Sequence, residues 1–273
     1  MKGTVSIVTG GSKGIGKAAA IDIARRGGSV CIIARDKKAL EAAASEISGH
    51  IASVGQFVET ISADTTKMAV LKPLLAKFIG SHGVPDYLFN CVGYAYPQYI
   101  DKLTLDDFKN NMETNYYGQL VPILILLPHF MKEKRGYIAA CSSALGFMGM
   151  MGYATYVPSK YAVVGLMESL RHELKPLNIG CSIVFPPDTD TPGFEIENKT
   201  KPREVAIMSE GGGLLTPEKV AAIFVKGVLK KKFYITPGQS GLLWRLARHF
   251  PRMLQKIMDG EYKKAVNKKN AER

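Results

Sequence analysis

The chain reads as an α/β protein: a doubly wound parallel sheet of about seven strands with helices on both faces. Three observations predict this. Short apolar, β-branched runs alternate with longer segments of helical period, the pattern of strands joined by helical crossovers. The first run ends in a glycine-rich turn that opens a helical segment, a Rossmann-type arrangement. Finally, 273 residues of which 46% are hydrophobic can bury one large core, and an α/β sheet of this length commonly forms a single domain.

The strands fall at residues 4–9, 30–34, 56–62, 87–92, 137–141, 181–185 and 233–235, with helices between them. Residues 1–240 then form the nucleotide-binding catalytic domain, and 241–273 a basic amphipathic tail. After the sixth strand, a stretch rich in Pro, Thr, Gly and Glu (186–215) is too long for a plain connection. Loops of that length are usually functional or disordered, and its place after a strand's carboxyl end suits a substrate loop.

The net charge of +12 comes mostly from residues 226–273, where Lys230, Lys231, Lys232, Arg245, Arg248 and Arg252 precede further lysines. No zinc-finger spacing, aromatic RNA-binding block or basic heptad accompanies it, so nucleic acid is not an expected partner. Cys31, Cys91, Cys141 and Cys181 lie in or beside strand-like runs with no C-x-x-C pair, and read as buried free thiols rather than disulfides or a metal site. No metal is expected. The N-terminus opens directly into a strand, without the features of a signal peptide. The longest apolar run, 120–127, falls far short of the ~20 residues of a membrane span.

Glycines in Gly10-x-x-x-Gly14-x-Gly16 let the backbone turn sharply and approach a pyrophosphate at a helix N-terminus. Gly10, Ser12, Lys13, Gly14, Ile15 and Gly16 are therefore candidate cofactor contacts. The second strand ends in Arg35. An Arg there accommodates a 2′-phosphate, whereas an acid would bind a free ribose hydroxyl, so NADPH is the expected cofactor, with Lys13 as a second cation and Asp36 as the residue that speaks against it. Asp64, ending the third strand, suits either the adenine or a helix cap.

Tyr156 and Lys160, four residues apart, share a helix face. A phenol titrates near ~10 and needs a neighbouring cation before it can transfer protons at neutral pH. Lys160 supplies that charge, and Ser143, at the end of the fifth strand, offers a hydroxyl for the substrate oxygen. On a single helix such a Tyr/Lys pair means little. Its weight comes from the ordered set of the glycine turn, Asn90-Cys91-Val92-Gly93, Ser142-Ser143 and Tyr156-Val157-Pro158-Ser159-Lys160.

This set resembles the short-chain dehydrogenase/reductase family over residues 4–235. The resemblance implies that Tyr156 is the general acid or base, that Lys160 lowers its pKa and binds the nicotinamide ribose, that Ser143 holds the carbonyl, and that Asn115 anchors a proton-relay water. It also implies cofactor contacts at Asn90, Gly93, Tyr156, Lys160, Thr189 and Thr191. Pro186-Pro187 stands where the family usually has Pro-Gly, which bears on the nicotinamide contacts near Thr189.

The run from Pro186 to Pro202 resembles the substrate loop of the 3-ketodihydrosphingosine reductase subgroup. That implies NADPH-dependent reduction of a C3 ketone in sphingoid-base synthesis, a long-chain lipid ketone as substrate and the cytosolic face of the endoplasmic reticulum membrane as location, or else the cytoplasm. A reductase of another lipid or steroid ketone, and a non-catalytic NADPH-binding scaffold, are the competing readings. The tail, with Trp244 among Leu, Phe, Arg and Lys, suits either a membrane interface or a helix packed on a partner subunit. If it is interfacial, removing it after Gln239 spares reduction of a soluble analogue. The family pattern further implies a homodimer or tetramer closed by the 108–130 helix and the Tyr156 helix.

Overall fold

A computed structural model describes residues 1–210 and 213–272; Gly211 and Gly212, within the expected substrate loop, and Arg273, the last residue of the expected tail, lie outside the described residues. Seven parallel strands, β1 (Val5–Thr9), β2 (Ser29–Ala34), β3 (Val58–Ser62), β4 (Tyr87–Asn90), β5 (Gly136–Cys141), β6 (Ile179–Val184) and β7 (Tyr234–Ile235), stand in the order β3-β2-β1-β4-β5-β6-β7. Successive side chains alternate between the two faces, and both faces are covered. Ile7, Cys31, Ile33, Leu88, Ile138 and Ile183 pack against α3 (Met68–His82), α5 (Gly118–Glu133) and α6 (Tyr156–Leu174). Val8, Val30, Ile32, Phe89, Ala139 and Val184 meet α1 (Gly14–Arg25), α2 (Lys37–Ser48) and α9 (Pro217–Leu229) on the other face. That is why the strand runs carry no polar face.

The strand order reverses between β1 and β4, so the carboxyl ends of these strands splay apart into a crevice. Ahead of α5, α4 (Leu105–Met112) begins with a capping box in which the Thr104 and Asp107 side chains accept from each other's backbone amides. Between α4 and α5 the helix widens into a π-turn over Glu113–Tyr117, a local distortion often found at functional sites. The turn holds Asn115, which is fully buried.

The segment after β6 is not an open loop. It folds into α7 (Pro192–Asn198) and α8 (Arg203–Ser209) and is tied back where Thr189 bridges to Leu215. Thr191 starts α7 by accepting from the Phe194 amide at 3.1 Å, with Pro192 in the first turn. Periodicity could not reveal helices only seven residues long.

The tail forms α10 (Ser240–His249) and α11 (Pro251–Ala271). Helix α11 docks on α8: Lys269 donates to Glu204 at 2.7 Å, Tyr99 donates to the other oxygen of that carboxylate at 2.6 Å, and Arg203 grips Glu272 with two bonds of 2.8 and 2.6 Å. Leu254 and Ala265 of α11 are buried. Trp244, whose setting suited either a membrane interface or a partner subunit, packs its ring 5.0 Å from that of Tyr234 at the edge of the core. Among the described residues, no helix is long and apolar enough to cross a membrane.

Candidate active site

Two adjoining cavities occupy the crevice at the carboxyl ends of the strands. The first, of about 460 Å³, runs from the glycine turn past Arg35 and Asp64 to Gly93 and Cys141. Its floor depends on missing side chains. A Cβ on Gly16 would stand 2.3 Å from the Gly10 carbonyl oxygen, and one on Gly93 would stand 2.9 Å from the Lys160 Nζ. The first clash would force the turn away from α1, and the second would displace the ammonium. A glycine-lined floor beside a helix N-terminus, with Arg35 and Lys13 among the lining residues, fits a dinucleotide.

Asp36, the acid next to Arg35, is already engaged as the N-cap of α2, accepting from the Ala39 amide at 3.1 Å. Asp64 lines the cavity and accepts from the Thr66 amide at 2.9 Å. Ser12, Lys13, Gly14, Ile15 and Thr191 line it too. Asn90 does not: it is fully buried, accepting from Thr9 at 3.1 Å and donating to the Gln119 carbonyl at 3.1 Å. Its side chain joins β1, β4 and α5 beneath the cavity.

The second cavity, of about 330 Å³, contains Ser143, Tyr156 and Lys160, with walls that include Leu145, Met148, Met150, Phe194, Leu243 and Met258. Ser143 follows β5 and Tyr156 opens α6, so one strand end and one helix start present the two hydroxyls to the same space. Thr189 lines this cavity rather than the first, its hydroxyl donating to the Pro187 carbonyl at 2.8 Å. Lys160 is buried, donates to the Cys141 carbonyl at 3.1 Å and holds its ammonium 5.5 Å from the Tyr156 ring centre. Burial pulls its pKa down. Burial also pushes the Tyr156 pKa up, an effect the Ser143 hydroxyl opposes and the charges of Glu197 and Asp188 reinforce.

Asn115 shares Tyr94, Asn111 and Ser159 as partners. Its Oδ1 accepts from the Tyr94 amide at 2.8 Å, and its Nδ2 donates to the Tyr94 carbonyl at 3.0 Å and to Ser159 at 2.9 Å. It thereby joins the π-turn, the loop after β4 and α6 into one unit. Ser159 completes the link by donating to the Tyr156 carbonyl at 2.6 Å.

Several cavity residues carry no motif that singled them out. Tyr153 donates to Glu197 at 2.5 Å, and Lys201 pairs with the same carboxylate at 3.2 Å. Leu243 and Met258 reach the cavity only through the folding of the tail. Asp188 stands inside the loop signature, but only the fold shows that it faces the catalytic hydroxyls.

Paired hydroxyls with a buried ammonium, next to a dinucleotide-shaped cleft at the switch point of a parallel sheet, define an oxidoreductase of the short-chain type. The short chain dehydrogenase family matches residues 4–202, and the chain belongs to that family; its cofactor is a nicotinamide dinucleotide. Curated relatives include a 3-dehydrosphinganine reductase of Danio rerio, 37% identical over 89% of this chain and 74% of the relative. A 3-ketodihydrosphingosine reductase of Bos taurus is 34% identical over the same shares. Among solved structures, the apo form of LigD from Sphingobium sp. strain SYK-6 aligns with a TM-score of 0.76 at 25% identity, covering 94% of this chain and 97% of that one.

Proposed function

We propose that this protein reduces the C3 ketone of 3-ketodihydrosphingosine to dihydrosphingosine with NADPH. The observation that carries the reading is the second cavity: hydroxyls of Ser143 and Tyr156 at its base and a methionine-rich apolar wall above, in a chain whose relatives bear that activity in their names. The bound dinucleotide supplies the hydride. Ser143 holds the ketone oxygen, and Tyr156 gives its proton to that oxygen as negative charge develops. Lys160 stabilises the resulting phenolate and would hold the ribose of the dinucleotide, while Asn115 fixes the approach of α6. Burial favours the protonated form of Tyr156, the form that donates, rather than the lowered pKa expected from Lys160. The test is NADPH oxidation with 3-ketodihydrosphingosine against steroid and acyl ketones. Preference for a steroid ketone sinks the assignment.

Arg35 and Lys13 direct the choice of NADPH. A charge-assisted phosphate contact contributes about 1.5–3 kcal/mol, so NADPH is expected to bind at least ~10-fold tighter than NADH. Arg35→Ala should remove most of that difference in a fluorescence titration. Equal affinities in the unaltered protein overturn the choice.

The tail also offers a surface for a membrane, as an enzyme of the endoplasmic reticulum's cytosolic face needs. Phe250, Met253 and Ile257 recur at helical spacing and are 60%, 46% and 43% exposed, beside Arg252 and Lys256 and next to Met258 of the cavity wall. Each basic residue contributes about 1 kcal/mol toward an anionic surface. Sedimentation with anionic vesicles, reversed by salt, is the expected result, and Phe250→Asp with Met253→Asp should abolish it without lowering the melting temperature. Sedimentation that survives these changes removes this surface from the reading.

A homodimer closed by α5 and α6 fits a second exposed stripe. Tyr117, Leu124 and Met131 recur every seven residues at 44%, 46% and 44% exposure, and Tyr161 of α6 is 44% exposed. Light scattering of a monomer at micromolar concentration counts against it.

A further inference from the structure

Among the described residues, one carboxylate of the catalytic cavity has no cation within salt-bridge distance. Asp188 and Glu197 line the cavity together with Lys160, whose ammonium is turned to the Cys141 carbonyl, and a half-buried carboxylate is costly unless paired. Glu197 is accounted for. It accepts the Tyr153 hydroxyl and pairs at 3.2 Å with Lys201, whose side chain is only 3% exposed and whose ammonium lies 4.3 Å from the Phe194 ring centre. Lys201 has thus been spent on Glu197 and on the aromatic face. Burial pushes the Asp188 pKa up, opposed by the Lys201 charge and by a hydrogen bond from the Ser209 hydroxyl, so a cation brought next to it would favour its charged form.

The position of Asp188 is firmly set. Its carbonyl accepts from the Leu215 amide at 3.1 Å, and the next residue, Thr189, bridges to Leu215. Two residues earlier, the Pro186 carbonyl accepts from the amide of Ala144 at 2.9 Å. Ala144 follows Ser143 directly, so the chain carrying Asp188 is stitched to the chain carrying the hydroxyl that receives the ketone. The two groups rise from neighbouring strand ends, β6 and β5, into one space.

On the functional reading above, the substrate is an amino ketone whose ammonium sits on the carbon bonded directly to the reacting carbonyl. A molecule held at Ser143 and Tyr156 therefore brings its cation into the same pocket that holds this carboxylate. We propose that Asp188 pairs with this ammonium and makes the site selective for cationic amino ketones over neutral ketones of equal chain length. The pairing also removes a negative charge from beside Tyr156 when the proton is needed, so a neutral ketone meets a less favourable site.

The full chain with NADPH tests this, using 3-ketodihydrosphingosine and an analogue with hydrogen in place of the amine. The unaltered protein is expected to favour the amine by at least ~10-fold in kcat/KM, the scale of one charge-assisted contact. Asp188→Asn should raise KM for the amine by a similar factor and leave the neutral analogue unchanged, while Asp188→Glu restores part of the preference. NADPH affinity and melting temperature, unchanged in both variants, separate lost recognition from lost folding. Equal turnover of the two substrates by the unaltered protein, or an equal loss on both in Asp188→Asn, overturns the assignment and leaves the functional reading standing. Reduction of neither substrate, with a different lipid ketone accepted, brings down the functional reading and the assignment with it.

Discussion

Replacing Tyr156 by Phe is expected to slow ketone reduction by ~100-fold or more while leaving NADPH binding near its original strength. The phenol oxygen is the only group of this variant that changes, and the ring stays against Tyr153, 5.9 Å away between centres. Ser143 remains to hold the ketone oxygen, but the variant has no hydroxyl at the place of the phenol to give that oxygen a proton. The pH dependence separates this loss from a general disturbance of the site. Because burial raises the pKa of Tyr156, its acid form persists across neutral pH, so reduction by the unaltered protein should stay level there. Alcohol oxidation, which needs the phenolate, should rise as pH increases above neutral. In Tyr156→Phe that rise should vanish from the residual rate. Turnover within a few-fold of normal would mean that another group donates the proton.

The sheet was legible because strands buried on both faces have to be apolar throughout, and the runs around Ile7, Ile32 and Ile183 leave no other reading. Ser143, Tyr156 and Lys160 were legible because strand end and helix start give fixed directions to side chains. What escaped depends on contacts distant in sequence. Asn90 looks like a cofactor ligand beside Gly93, yet its side chain turns under the crevice to Thr9 and the Gln119 carbonyl, partners 81 and 29 residues away. Trp244 in a basic, amphipathic stretch suits a membrane interface, and only the fold reveals Tyr234 as its neighbour. The segment 186–215 is Pro- and Gly-rich, which conceals α7 and α8; these are held by Glu197, Glu204 and the tail rather than by helical propensity. The charge balance of the cavity was invisible for the same reason, since Lys201 and Glu197 lie one helical turn apart but Asp188 reaches them only through the bridge at Thr189.

Truncation after Gln239 is expected to abolish activity on soluble and bilayer-embedded substrates alike and to lower the melting temperature by ~10 °C or more. This reverses the expectation for a tail that merely lies on a membrane. Leu243 and Met258 form part of the catalytic cavity wall, so their removal opens the space around Ser143 and Tyr156 to water, weakening the interactions that stabilise developing charge. Leu254 and Ala265 lose their burial, and Trp244 its contact with Tyr234. Burial of one large apolar side chain contributes about 1.5–3 kcal/mol, so the helices together supply several kcal/mol, at roughly 2–4 °C each for a chain of this size. Glu204 would keep only Tyr99 as a side-chain partner, and α8 its weakest remaining hold on the body. Restoring α10 alone should recover little, because Leu254 and Lys269 belong to α11 and Glu272 caps its end. A truncated chain that melts at the original temperature and reduces a short soluble analogue at full rate would show that the two helices lie on the enzyme without completing it.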